Sequence, residues 1–153
     1  MDKFDKAILE ALQADASISI NELAERVGLT STPCWRRVQR LETRGVIQKR
    51  VALLSPELLN VGVTVFVSIR TSQHNAKWLL AFHKLVATIP EVMDCYRMSG
   101  QTDYMLRVVV PDIGAYDRVY KSLIKDMEFL DINSSFAMER IKSTTKLPLS
   151  YAL

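Results

Sequence analysis

The chain is 153 residues long, 48% hydrophobic and 24% charged, with five Gly and five Pro; these values place it among globular proteins of one domain or two small ones and exclude the disordered and collagen-like classes. No stretch approaches the roughly 20 apolar residues of a bilayer span, the first residues lack the apolar core of a secretory signal, and Cys34 and Cys95 form no CxxC pair. A cytoplasmic protein with free thiols, no cofactor and no membrane association is expected. Lys and Arg exceed Asp and Glu by only 20 to 17, yet the charge is segregated: residues 1–25 carry two basic and six acidic side chains, whereas 26–50 set Arg26, Arg36, Arg37, Arg40, Arg44, Lys49 and Arg50 against Glu42 alone. Such a window is the footprint a phosphate backbone selects, although a solvated helix face produces it too.

Asp2 predicts the cap of a first helix, with Asp5 reaching back from the third position and Phe4, Ile8, Leu9 and Leu12 on one face. Ser19 and Glu22 form an S-x-x-E capping box for a second, two-turn helix with Leu23, Ala24 and Val27 inward, and Gly28 stands where a left-handed terminator belongs. The cluster Thr30, Ser31, Thr32 offers a cap for a third helix, Pro33 suits its first turn, and Gly45 stops it after Arg44. Its inward stripe is Cys34, Val38 and Leu41. Two short helices joined by a Gly-containing turn, with one helix before them, form the helix-turn-helix pattern. The arginines lie off the inward stripe, so the basic face is the exposed face of the candidate recognition helix. Those near its start suit guanine edges, and those beyond suit phosphates. Trp35 fits either a plug in the core or a contact to sugar, methyl or base.

Residues 46–54 read as one extended segment, and residues 55–62 as a connector at the domain boundary. Val61, Val63, Val65, Val67 and Ile69 then alternate as a strand. Residues 75–89 place Trp78, Leu79, Phe82, Leu85, Val86 and Ile89 at helical spacing before Pro90. Strands are predicted over 92–99 and 104–110, joined by Gly100, Gln101, Thr102 and Asp103. Pro111 and Asp112 open a helix with Ile113, Tyr116, Val119, Tyr120, Leu123 and Ile124 inward, and a last strand lies within 130–145. This is the split βαββαβ order of ferredoxin-like domains. Both helices then cover one face of the sheet, so the open face or an edge is expected to be buried against a second subunit.

The run from Leu23 through Thr30, the run from Thr32 to Glu42 containing Pro33, Cys34 and Trp35, and the closing Gly45, Val46 and Ile47 resemble the Lrp/AsnC family of transcription regulators. The Gly100 to Tyr104 segment resembles that family's G-x-x-D-Y turn. The resemblance implies an α+β protein, with a winged helix-turn-helix over 1–54, a hinge over 55–62 and a βαββαβ, ACT-like effector and oligomerisation domain over 63–153. It implies double-stranded DNA with an imperfect palindrome, dimers assembling to octamers, and an amino-acid effector held between regulatory domains. The DNA-reading element it implies is Thr32 to Arg44, and together with the charge pattern the expected DNA-contacting set is Ser31, Thr32, Trp35, Arg36, Arg37, Gln39, Arg40, Arg44 and Lys49. The effector set is Ser99, Gly100, Thr102, Asp103 and Tyr104. The residues Thr32 to Trp35 and Ser134 to Glu139 most resemble a branch linked to cysteine catabolism.

The effector loop also has a reading of its own. Asp103 suits the ammonium of an amino acid, Gly100 lets backbone approach the ligand, and Thr102 supplies a hydroxyl. The same residues are ordinary turn chemistry, in which Asp103 caps the turn or pairs with Arg107. No enzyme is expected: His74 and His83 make no HExxH pair, and neither a Gly-rich phosphate loop nor a GxSxG appears. A DNA-architectural protein, bending DNA with little sequence selection and no small-molecule switch, is the competing class.

Overall fold

The computed structural model describes residues 1–153, in two compact units: Met1–Leu53 together with Ile141–Leu153, and Leu54–Arg140. In the first, α1 (Lys3–Ala14), α2 (Ile20–Val27) and α3 (Ser31–Thr43) close around Ile8, Leu9, Ala11, Leu23, Ala24, Cys34, Val38 and Leu41. Local chemistry sets the helix ends. Asp5 donates its backbone N–H to Asp2 Oδ1 at 2.9 Å, and the Ser19–Glu22 box forms reciprocally, at 3.0 and 3.3 Å. Gly28 takes φ +71, a left-handed conformation without penalty for a residue lacking Cβ.

Two expectations change in this unit. Asp5 does not reach back to its own cap; it is 3% exposed and turned toward α3. Segment 46–54 forms no helix and pairs with no strand. Residues 141–153, assigned by sequence to the second domain, return to the first: Gln13 Nε2 donates to the Leu147 carbonyl at 3.2 Å, Leu147 N–H donates to Gln13 Oε1 at 2.6 Å, and Leu149 packs on the three-helix core.

The second unit runs β1 (Val63–Arg70), α4 (Ala76–Thr88), β2 (Val92–Arg97), β3 (Tyr104–Val110), α5 (Ile113–Ile124) and β4 (Asp131–Phe136). The sheet is antiparallel throughout in the order β2-β3-β1-β4. Val65, Val67 and Ile69 of β1 and Tyr104, Leu106, Val108 and Val110 of β3 share one face with Phe82, Ile89, Ala115, Tyr116, Val119 and Leu123. The valine stripe is therefore covered by the chain's own helices. The open face carries Phe66, Ser68 and Arg70 beside Met105, Arg107, Asp94 and Tyr96. Ile113 and Ile124, expected inward, are 71% and 42% exposed, because Ala115 and Leu123 take the sheet-facing positions of α5.

Candidate nucleic-acid interface and effector loop

Helix α3 presents two stripes that the helical repeat separates. Thr32, Trp35, Arg36 and Gln39 follow each other at three-and-four spacing and are exposed. Of the two positions open to Trp35, the structure takes the outer one, with 52% of the residue exposed. Ser31, at the start of the helix, donates its hydroxyl to Asn21 Oδ1 at 2.6 Å and so ties α3 to α2. Gln39 donates to Glu42 at 2.9 Å, and the other oxygen of Glu42 accepts from Arg50 at 3.2 Å. Arg36, Arg44 and Lys49 are exposed and engaged in no ion pair.

The second stripe faces α1. Arg37 Nη1 lies 2.6 Å from Asp2 Oδ2 and 2.7 Å from Asp5 Oδ1, and Arg40 Nη2 lies 2.9 Å from both oxygens of Asp5. The Arg37 guanidinium also sits over the Phe4 ring, 5.3 Å from its centroid. The hydrogen bonds that Arg37 donates to Asp2 and then Asp5 hold its cation more firmly protonated than usual. Arg37 and Arg40 thus split from Arg36 and Arg44, which sequence spacing had grouped with them as one basic face. Burial pushes the Cys34 thiol up from its ordinary value, as befits a core side chain.

In the sheet unit the loop between β2 and β3 is closed by Met98 N–H donating to the Asp103 carbonyl at 2.8 Å. Gly100 sits at φ +121 with no atom within 4 Å of where a Cβ would stand. Asp103 Oδ2 accepts from Thr71 N–H at 2.8 Å, tying the loop to the end of β1. Arg107 pairs instead with Asp94, at 2.5 Å. Ser99 and Gly100 are exposed and Thr102 is half-buried. The Tyr104 ring points into the core against Phe82 and Trp78, at 4.7 and 5.7 Å between centroids. Beside the loop, Ser68, Arg70, Gln101, Thr102, Asp131 and Asn133 line an open cleft of about 490 Å³. Sequence reasoning missed Ser68, Arg70, Gln101, Asp131 and Asn133. Arg70 faces Asp131, and Ser68 faces Asn133, only through the β1–β4 register, which no local signal carries.

Residues 64–147 match the Lrp/AsnC ligand binding domain, and residues 1–48 match a winged helix-turn-helix DNA-binding domain. The chain belongs to the Lrp/AsnC family. It is 47% identical over 150 residues, 97% of this chain and 99% of the relative, to the DNA-binding transcriptional activator DecR of Escherichia coli K12. It is 44% identical over 149 residues to the glutamate uptake regulatory protein of Zymomonas mobilis, covering 97% of this chain and 91% of that one. An AsnC family transcriptional regulator from Agrobacterium tumefaciens superimposes with a TM-score of 0.97 at 56% identity over all of both chains. A transcriptional regulator from Neisseria meningitidis, in complex with L-methionine, does so with a TM-score of 0.94 at 36% identity, over 100% of this chain and 99% of that one. Like these relatives, this Lrp/AsnC chain is a DNA-binding transcriptional regulator, an N-terminal winged helix-turn-helix followed by a ferredoxin-like α+β domain.

Proposed function

We propose that α3 enters the major groove with Ser31, Thr32, Trp35 and Arg36 toward base edges and Arg44 and Lys49 toward phosphates, and that a dimer reads an imperfect palindrome with two such helices one turn of DNA apart. The observation that carries this reading is the outer stripe itself: a half-exposed Trp35 beside an unpaired Arg36 on the second helix of a helix-turn-helix. Hydrophobic burial disfavours leaving an indole in water, and a thymine methyl or deoxyribose is the apolar partner such a helix meets.

The same reading assigns the loop at Ser99, Gly100, Thr102 and Asp103 to an amino-acid effector. Asp103 is anchored through one oxygen, which leaves the other for an ammonium, and Arg70 in the neighbouring cleft suits a carboxylate. The L-methionine complex of the Neisseria relative and the resemblance to a cysteine-linked branch favour a small sulfur-containing amino acid. Self-association to a dimer, and onward to an octamer, and a cytoplasmic setting complete the proposal. An effector alters DNA affinity only through its unequal affinity for competing assemblies or helix spacings.

The test is footprinting of genomic fragments at fixed physiological salt, repeated with each amino acid, cysteine and methionine included. Protection of a palindrome that changes with one amino acid is the expected result. Uniform coating, steeply salt-sensitive and indifferent to every amino acid, would replace this reading with an architectural one.

A further inference from the structure

A buried carboxylate behind a DNA-reading helix is a cost on simple electrostatic grounds, because it places a negative charge near a polyanion. Asp5 is such a group: it is 3% exposed and projects from α1 toward α3. Both of its oxygens engage Arg40, yet through one nitrogen only, Nη2 at 2.9 Å from each. The side chain of Arg40 remains 51% exposed, and its Nη1 and Nε hold no partner. A guanidinium offers five N–H donors in a rigid fork. Nη2 alone is taken by Asp5, and on this half-exposed side chain the remaining donors are free for a second acceptor. Arg37, 24% exposed and shared between Asp2 and Asp5, donates to Asp5 Oδ1 as well.

We propose that Asp5 is a positioning residue for DNA binding, fixing the Arg40 guanidinium as a preoriented fork for one DNA phosphate, so that this anion raises operator affinity rather than lowering it. Two physical effects support the sign. A long cationic side chain in solution must lose rotamer freedom before it can grip a phosphate, and Asp5 imposes that loss at folding instead of at binding. A charge-assisted contact on one edge of the fork also sets the plane in which the other edge presents its donors. The opposing repulsion between Asp5 and the phosphate is shortened in range by salt and offset by the guanidinium between them. This inference rests on the reading of α3 as the DNA-contacting helix.

The test compares wild type, Asp5→Asn, Arg40→Gln, the double variant and Arg36→Ala in binding the footprinted duplex, with a shuffled duplex of the same length as reference. Asp5→Asn keeps the shape and one acceptor while making the protein more positive. A drop of about tenfold in affinity is expected, with the salt slope flattened by about one phosphate contact, and with no further loss when Asp5→Asn is added to Arg40→Gln. Unchanged or tighter binding by Asp5→Asn overturns the proposal. If Arg36→Ala loses affinity while Asp5→Asn does not, only the role of Asp5 fails; if neither loses affinity, the reading of α3 fails with it. Should Asp5→Asn not fold, nitrogen-15 spectra of the arginine side chains of the wild type decide. Arg40 signals protected from exchange both free and on DNA support the proposal. Arg40 signals averaged like those of Arg36 in the free protein overturn it.

Discussion

In the three-helix unit the helix proposed to read DNA is held from beneath by charge, Arg37 and Arg40 against Asp5 and Asp2, over a core of eight buried residues. In the sheet unit the loop proposed to take the effector ends on apolar packing: Tyr104 packs against both Phe82 and Trp78 within a core of thirteen. A small helical unit buries a lower share of its surface than a larger domain does, so it has less apolar area with which to orient a helix. Ion pairs supply direction at the expense of desolvation. Packing supplies stability with less angular control.

Phe82→Ala should have the largest effect. Phe82 is fully buried and touches Trp78, Tyr104 and Phe129, and its truncation should cost about 3–5 kcal/mol. Hydrogen exchange should show the loss confined to residues 63–136, with the three-helix unit unchanged. Asp5→Ala is the counterpart on the other side, expected to cost about 2–3 kcal/mol. That is less than the loss of a fully buried pair, because Arg37 keeps Asp2 and Arg40 already stands half in water. Chemical denaturation followed at Trp35 would measure it, and a cost near zero would mean that the charges do not hold α3.

How much of this was legible in the sequence divides along the same line. The Ser19–Glu22 box, the left-handed Gly28 and the strand at Tyr104–Val110 are local patterns, read from residues a few positions apart, and they stand in the structure where spacing put them. The partner of Asp5 lies 32 residues away in the chain; the acid looked like part of a capping box because that is the only partner a local reading offers it. Arg36 and Arg37 are neighbours in sequence, and only the orientation of α3 on α1 separates a free arginine from a clamped one. The cleft at Arg70 and Asp131 needs strand register, and the return of Leu147 and Leu149 to the first unit needs the tertiary fold.

Asp103→Ala acts on the loop between β2 and β3. Removing the carboxylate that accepts from Thr71 N–H should cost about 1–2 kcal/mol and abolish any amino-acid response, while DNA affinity without effector stays as in wild type. Calorimetric titration with the amino acid identified by footprinting checks the second part; an unaltered isotherm would mean that Asp103 serves the turn alone. Ser19→Ala, which removes one half of the capping box, should cost about 1 kcal/mol and speed exchange in α2 without altering α1 or the sheet.

The smallest effect, and the one that isolates charge from packing, belongs to Asp2. Its carboxyl is held below the ordinary value of 3.8, first by the hydrogen bond it accepts from Asp5 N–H and then by Arg37. A carboxyl that titrates lower in the folded state than in the unfolded one contributes stability that is complete above the unfolded value and drains away as pH falls through the folded one. Asp2→Asn should therefore melt slightly lower than wild type at neutral pH, and the two melting curves should converge as pH falls below 3.8. A Phe82 variant shows no such convergence, because the packing it loses carries no proton. Thermal melts of both variants across that range would thus separate the unit oriented by charge from the unit oriented by packing, and parallel curves for Asp2→Asn would remove Asp2 from the clamp on Arg37.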